Sequence, residues 1–281
     1  MTPAPDDAQL ALHRQLLVAL DQDPYVRFEL DAGTLDSVAT SPGEGVAWIG
    51  RHRSGLRWAT GLARDPHDPA HLAVAARLLA ELAGPSLGTD GEIRGVTITR
   101  GGRGLLPETL RVPEPWEWDF WWTEREPSPE STATAYGAAA RVSDLAADDP
   151  RIGPLLSLAS PSAPLQPGDP RVVRWAGVED PEHGLPDTGG LAAVLAVTRP
   201  RSGADHLNDV ATHPDRRGRA LARLLCGQVT ADALRAGSPA VTLGMYADND
   251  AARRVYSRLG FTCVRGQTSG PLHSRGIDPP H

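Results

Sequence analysis

The sequence predicts an α/β (α+β) fold in which helices flank a mixed, largely antiparallel central sheet, with two such domains in tandem. Short β-rich segments alternate with segments of helical periodicity along the whole chain. The order strand, strand, helix, strand occurs in each half. Residues 127–140, rich in proline and serine, separate the halves and are typical of an exposed linker. We therefore expect domains at residues 1–126 and 141–281.

The composition limits the function classes. At 281 residues and 40% hydrophobic content, the chain can form two domains with real cores. Its formal charge of −7 argues against binding to nucleic acid or to an anionic membrane. No apolar run reaches the ~18 residues of a spanning helix, and the N-terminus lacks the pattern of a signal peptide, so we expect a cytoplasmic protein. Cys226 and Cys263 lack the spacing of a metal site, so we expect reduced thiols and no metal.

The first domain is predicted to contain two helices. Apolar residues recur at helical spacing over residues 8–20, and Asp68 is the predicted N-cap of a helix that runs to Leu82. Residues 64–69, which precede this second helix, contain two carboxylates and no glycine, so we expect them to repel an anion. The predicted strands span residues 25–30, 45–51, 56–63, 93–99 and 116–122.

Four of the seven tryptophans fall within residues 116–122. As a strand, this segment places Trp118 on one face and Asp119 on the other. Packing in a core is the commoner use of such rings. The alternative is a pocket for an acceptor molecule, in which a carboxylate holds a cation. Trp118, Asp119 and Trp175, the last a tryptophan of the second domain, are therefore candidates for contact with an acceptor molecule.

The second domain is predicted to begin with helical pieces over residues 142–158, interrupted by prolines. A longer helix is predicted over residues 220–234. Asn249 is the predicted N-cap of the last helix, and Gly260 is the predicted left-handed residue that ends it. The predicted strands span residues 171–178, 191–198, 205–212, 240–246 and 261–265.

This domain is organised around residues 210–222, where an extended run ends at Pro214 and a loop containing arginine and glycine leads into a helix. Unpaired N–H groups at such a helix start, together with the helix dipole, can bind a phosphate or pyrophosphate. His213 is expected to be an exposed turn residue and Arg216 a surface arginine.

Two segments of the second domain carry a family resemblance. Residues 209–222 read DVATHPDRRGRALA, and residues 246–261 read YADNDAARRVYSRLGF. Together they resemble the signature segments of the GCN5-related N-acetyltransferase (GNAT) superfamily, and the wording is closest to its FR47-like branch. The resemblance covers roughly residues 141–270. The first domain resembles a degenerate copy of the same fold in its element order alone.

The resemblance implies that acetyl-CoA is the co-substrate. It implies that Tyr256 is the general acid and that Asn249 and Ala252 lie near the pantetheine arm. Ala220 stands where the family usually has glycine, and its side chain is expected to shift or weaken the cofactor contact. Backbone groups that would contact the pantetheine arm or the pyrophosphate belong to Val210, Ala211, Thr212, Arg217, Gly218, Arg219, Ala220, Leu221 and Ala222.

The chemistry of acetyl transfer to an amine requires three groups. A fixed N–H donor stabilises the developing oxyanion, an acid protonates the leaving thiolate, and a base removes a proton from the amine. His206 and Asp209 lie on the strand before the loop and are candidate bases, although either could be an ordinary polar edge residue. Alternation along that strand places them on opposite faces unless a bulge intervenes.

The expected function is acetyl-CoA-dependent N-acetylation of a small or amino-acid-like amine, by direct attack in a ternary complex. We expect one cofactor per chain, bound by the second domain. Two alternatives stay open: a non-catalytic module that binds acyl-CoA, and an acyltransferase that modifies a protein lysine or N-terminus. The expected partners are acetyl-CoA and the amine, with a homodimer as an open alternative.

Overall fold

Strands and helices alternate through the described parts of the chain. The structure, a computed structural model, describes residues 4–52, 55–84, 93–134, 136–180 and 182–272. The α-helices are α1 (Asp7–Ala19), α2 (Pro69–Ala83), α3 (Ile152–Ala159), α4 (Leu221–Arg235) and α5 (Asp250–Arg258). The strands are β1 (Leu35–Ser41), β2 (Gly45–Arg51), β3 (Arg57–Ala63), β4 (Gly95–Thr99), β5 (Trp116–Thr123), β6 (Val142–Leu145), β7 (Val172–Glu179), β8 (Leu191–Thr198), β9 (Asp205–Thr212), β10 (Val241–Tyr246) and β11 (Thr262–Pro271).

Contacts between residues divide the chain into two units. The first unit holds the described residues up to Phe120, Tyr246–Asp248 and the described residues from Cys263 onward. The second holds the described residues of Trp121–Met245 and Asn249–Thr262. Strand β11 therefore belongs to the first unit, although the sequence places it in the domain that we expect at residues 141–281. The physical reason is that β11 pairs with β4.

The sheet of the first unit has the order β1-β2-β3-β4-β11-β5. β1–β2, β2–β3 and β4–β11 are antiparallel pairs, and β3–β4 is a parallel pair. Alternation along β2 sends Trp48 to the face that packs against α1 and Ile49 to the face that packs against α2. Asp6 and Gln9 form a capping box at the start of α1, and Asp68 caps α2 as the sequence predicts.

The predicted strand at residues 25–30 is wrong, because Tyr25–Glu29 forms a π-helical turn. Asp23 explains the difference: its Oδ1 accepts hydrogen bonds from the N–H groups of Tyr25 at 3.0 Å and Val26 at 3.4 Å. A side chain that caps two N–H groups in succession starts a helical turn and not a strand.

The sheet of the second unit contains the order β10-β9-β8-β7-β6. β9 and β10 are parallel, and the other neighbours are antiparallel. Helix α4 packs on one face, where Leu225 and Val229 meet β8, and α3 packs on the other through Leu155. The expected helical start at residues 142–145 is wrong: these residues form β6, which pairs with β7.

The mixed α+β architecture with largely antiparallel pairing and flanking helices is confirmed. Within the described residues, no helix combines the length and apolar character that crossing a bilayer requires.

Candidate functional site

The first feature of the site is the end of the pairing between β9 and β10. Parallel pairing runs from Val241 opposite Asp205 to Leu243 opposite Leu207 and stops there, although β9 continues to Thr212. β9 stays paired with β8 as far as Thr212. The register of this pair shifts between Val194 and Ala196 of β8. The β10-facing backbone groups of residues 210–212 therefore have no ladder partner in β10.

The arginine loop, defined as residues 213–220, follows β9 and delivers the start of α4. Gly218 and Ala220 both adopt positive φ angles, 76° and 64°. Ala220 is the N-cap of α4, and it makes no side-chain cap hydrogen bond. None of the described residues accepts a hydrogen bond from the backbone N–H groups of residues 218–223. Open N–H groups and the helix dipole are the features on which the predicted anion-binding site depends, and the site itself stays a prediction.

The arginines of the loop differ in burial and in their partners. Arg217 is exposed and reaches only backbone carbonyl oxygens, those of Thr212 and Ala159. Arg219 donates from Nη1 to the Tyr136 hydroxyl at 2.5 Å and to the Glu182 carboxylate. Both arginines belong to the loop whose N–H groups are expected to bind a phosphate, and a guanidinium can pair with such a group.

Arg216 and His213 depart from the expectation of surface positions, since both are buried. Arg216 makes a bidentate ion pair with Asp180, with Nε–Oδ1 and Nη2–Oδ2 distances of 2.8 and 3.0 Å. The hydrogen bonds from Arg216 lower the pKa of Asp180 from 3.8 to about 2. His213 Nδ1 accepts from Asp215 N, so its Nε2 carries the proton and donates to Asp187 at 3.1 Å.

Helix α5 positions the candidate acid. Asn249 caps the helix as predicted, its Oδ1 accepting from Ala252 N at 3.0 Å. Tyr256 is 6% exposed, and its ring lies 5.8 Å from that of Phe261. Burial raises the pKa of Tyr256 well above 10.0, with the nearby Cys226 as a second cause, so the phenol is protonated at neutral pH. No described residue hydrogen-bonds to its hydroxyl.

The candidate bases lie at different positions along β9. His206 is buried in the paired part of the strand, and its Nδ1 lies 2.8 Å from Thr242 Oγ1. With the rise per residue of a β-strand, His206 lies about 20 Å along β9 from Thr212. Asp209 has φ 50° at the irregularity of β9, and its Oδ2 accepts a hydrogen bond from Leu165 N at 3.0 Å.

The candidate acceptor contacts are all buried. Trp118, in the first unit, donates from Nε1 to Ser269 Oγ at 2.8 Å. Asp119, in the same unit, accepts from Arg100 Nη2 at 2.7 Å. Trp175, in the second unit, is 2% exposed within the cluster that packs against α3, and its Nε1 has no acceptor among the described residues.

Three residues around the arginine loop are not among those that the sequence predicts for the site: Asp180, Glu182 and Tyr136. Asp180 and Glu182 precede a glycine-rich turn, a pattern that indicates a loop and no specific partner. Tyr136 is the one aromatic residue of the segment 127–140, and that isolation in a polar linker is the signal that could have drawn attention to it.

Comparison with known proteins shows what part of the second unit is similar to. Residues 156–261 match the model of the acetyltransferase (GNAT) family. Residues 156–261 are therefore similar to a GNAT acetyltransferase domain; that family transfers acyl groups and generally uses acetyl-CoA. No curated protein matches the chain.

Solved structures extend the likeness in fold over nearly the whole chain. A GCN5-related N-acetyltransferase from Sphaerobacter thermophilus is 16% identical, with a TM-score of 0.57 over 98% of this chain and 96% of its own. A GCN5-related N-acetyltransferase from Kribbella flavida is 15% identical, with a TM-score of 0.45 and coverage of 94% and 96%. A tandem GNAT protein from the clavulanic acid biosynthesis pathway is 15% identical, with a TM-score of 0.49 and coverage of 97% and 98%. Of these three, the first supports the fold.

Proposed function

We propose that the protein is an acetyl-CoA-dependent N-acetyltransferase that acetylates an amine of a small or amino-acid-like molecule by direct attack in a ternary complex. The observation that carries the proposal is the run of backbone N–H groups at residues 218–223 without acceptors. This run begins helix α4, which follows β9 where that strand has left β10. An anion site beside an opened parallel pair fits a long ligand with a diphosphate and an amide-containing arm.

The residues present fit acetyl-CoA in their chemistry. The N–H groups of residues 218–223 would hold the pyrophosphate, supported by Arg217 and Arg219. The backbone of residues 210–212 would pair with the amides of the pantetheine arm, near Asn249 and Ala252. Thr212 Oγ1 is buried with no hydrogen-bond partner among the described residues, so it is available to a ligand. When bound, acetyl-CoA supplies an activated acetyl thioester.

The chain's own groups would then perform the proton and charge chemistry. A backbone N–H of residues 210–212 donates to the oxygen on which negative charge develops. Tyr256 holds a proton at its hydroxyl for the departing sulfur, and its raised pKa keeps that proton in place at neutral pH. Asp209, next to residues 210–212, accepts the amine's proton, directly or through water, after exchanging its hydrogen bond with Leu165 N. His206, the other candidate, would have to act through a chain of several waters.

The proposal extends to the organisation of the chain. The first unit, expected at residues 1–126 and joined by β11 in the structure, is a degenerate copy of the fold without a cofactor loop. Residues 127–140 link it to the catalytic part, and one cofactor binds per chain. Trp118, Asp119 and Trp175 contribute to acceptor recognition. We place the chain in the FR47-like branch on the wording of residues 209–222 and 246–261.

The test is to incubate the full chain with acetyl-CoA and a panel of amines, and to follow free thiol against a control without amine. Amine-dependent thiol release and an acetylated amine in the mass spectrum are the expected result. Tight acetyl-CoA binding with no turnover on any amine, peptide or alcohol would favour a non-catalytic acyl-CoA-binding module. Acetylation confined to protein lysines or N-termini would favour the other alternative.

A further inference from the structure

The connection between β7 and β8, of which residues 180 and 182–190 are described, is bonded to the arginine loop. The Asp180 side chain is 0% exposed, and besides Arg216 it accepts from Gly184 N at 2.6 Å and Glu182 N at 3.2 Å. Asp187 adds a second attachment through His213. A buried carboxylate with this many donors fixes both the connection and the loop. The connection is therefore a rigid support for the residues that it presents to the loop.

Glu182 is the residue presented to the loop's exposed side. One of its carboxylate oxygens pairs with Arg219 Nη1, and the other lies 3.4 Å from Arg216 Nη2. The side chains of Arg219 and Glu182 are 37% and 46% exposed, whereas those of Arg216 and Asp180 are 10% and 0% exposed. The Arg219–Glu182 pair is thus open to exchange with ions from solvent, and the Arg216–Asp180 pair is not.

This placement puts a fixed negative charge beside a site built for an anion. The Arg219 backbone N–H belongs to the open run at residues 218–223, and Tyr136 holds the Arg219 guanidinium through its hydroxyl, with its ring centroid 5.4 Å from Arg219 Cζ. A phosphate that enters the site must compete with Glu182 for Arg219 and is also repelled by the Glu182 carboxylate.

We propose that Glu182 sets the affinity of the site for coenzyme: it is the counter-ion of Arg219 in the free chain, and a phosphate of the bound coenzyme displaces it. The inference rests on the proposed acetyl-CoA function. Removing the Glu182 charge therefore tightens coenzyme binding, which is the opposite of the usual effect of deleting a side chain at a binding site. Because the competition is electrostatic, the effect depends on the ligand's phosphates and on salt.

The experiment is calorimetric titration of the full chain with acetyl-CoA, comparing wild type with Glu182→Gln. We expect about 3- to 10-fold tighter binding at low salt, as for loss of one partly exposed charge contact, and a smaller gain at high salt. Acetylpantetheine, which has no phosphate, is expected to bind both proteins alike. Glu179→Gln is the matched control: Glu179 also pairs with an arginine, Arg151 at 3.0 Å, and its loss should leave acetyl-CoA affinity unchanged.

A double-mutant cycle with Arg219→Gln tests the route of the effect. If Glu182 acts by occupying Arg219, the gain from Glu182→Gln shrinks in the Arg219→Gln background. A gain of the same size in both backgrounds, or unchanged or weaker binding by Glu182→Gln, overturns the inference alone. If neither wild type nor any variant binds acetyl-CoA, the proposed function is overturned and the inference with it.

Discussion

The two units begin a helix after a strand of their sheet in the same order, but they treat the helix N-terminus in opposite ways. At α2, the Asp68 carboxylate accepts from Ala70 N at 2.8 Å, and Asp65 accepts from His67 N at the same distance. At α4, Ala220 offers no side-chain oxygen, and the N–H groups of residues 218–223 stay open. In the first unit, carboxylates of the chain itself bond to N–H groups at the helix start. In the second unit, the corresponding N–H groups have no such partner among the described residues.

The strands before these helices differ in the same sense. In the first unit, β3 and β4 pair as far as Gly61 and Ile98. Beyond that point, side chains satisfy the backbone of Ala63. Its N–H donates to Thr99 Oγ1 at 2.9 Å, and its carbonyl oxygen accepts from Arg265 Nη1 at 2.6 Å. In the second unit, β9 continues past its last pairing with β10. A cofactor site therefore requires backbone groups that the fold leaves unsatisfied, and such groups lower stability until the ligand binds.

The largest expected effect concerns Tyr256, the candidate general acid. The first unit has no counterpart of this residue in the described part of the chain, since 3₁₀ turns follow β4, whereas α5 with Tyr256 follows β10. Tyr256→Phe keeps the ring that packs against Phe261 and removes the proton donor. We expect kcat to fall about 10²- to 10⁴-fold, as for loss of a general acid, with a much smaller change in the KM for acetyl-CoA. Steady-state kinetics at saturating amine measures both. An unchanged kcat would reduce Tyr256 to a core residue.

The second prediction concerns support from outside the loop. The start of α2 carries its own caps, whereas the arginine loop is held by Asp180. Asp180→Asn removes the bidentate partner of the Arg216 guanidinium, leaves it only the longer contact with Glu182, and should lower the free energy of unfolding at pH 7. Urea denaturation measures this difference. Asp36→Asn, which breaks the more exposed pair with Arg57, is the control and should cost far less.

The same pair predicts a pH dependence of stability. The pKa of Asp180 falls on folding from 3.8 to about 2, so the carboxylate stabilises the folded state fully above pH ~4. That contribution is lost as the pH falls through about 2. The stability difference between wild type and Asp180→Asn should narrow over this window. A difference that stays constant from neutral pH to pH ~2 would contradict the ion-pair explanation.

The third prediction converts the second unit's loop into one like that of the first. Ala220→Asp places a carboxylate at the N-cap of α4, where it caps N–H groups and repels phosphate. Acetyl-CoA affinity should fall about 10- to 100-fold. Ala220→Asn is the matched control, because asparagine has the same shape, tolerates positive φ equally and carries no charge. Equal losses in both variants, measured by calorimetry, would show that the cap and not the charge closes the site.

The smallest expected effect tests backbone strain at the same position. Ala220 adopts φ 64° and ψ 19°, a left-handed conformation that disfavours alanine. Ala220→Gly should raise the free energy of unfolding by about 0.5 kcal/mol, since relief of strain outweighs the added freedom of glycine in the unfolded chain. Gly218→Ala is the converse variant, because φ is 76° there, and it should be destabilising. A less stable Ala220→Gly would mean that strain at this position is negligible.

Short-range signals explain why much of the site region could be predicted from sequence. The glycine-containing loop, the periodicity of α4 and the Asn249 cap each depend on residues a few positions apart. The Arg216–Asp180 pair depends on residues 36 positions apart, and no periodicity encodes it. The hydrophobic pattern of Tyr25–Glu29 fits a strand, so the sequence predicts one there. The structure has a helical turn because the Asp23 side chain accepts hydrogen bonds from the N–H groups at its start. The roles of Tyr256, His206 and Asp209 stay predictions.

Cys226 of α4 is buried near Tyr256 of α5, and its thiol gives the protein an internal chemical reporter. Burial raises the pKa of this thiol to about 12, so it is almost entirely protonated and shielded from alkylating reagents, while Cys263 is exposed. Slow labelling of Cys226 in the native chain therefore measures how often the two helices separate. A ligand that binds at the start of α4 should slow that labelling in proportion to the local opening it suppresses, so the reaction reports occupancy without any turnover.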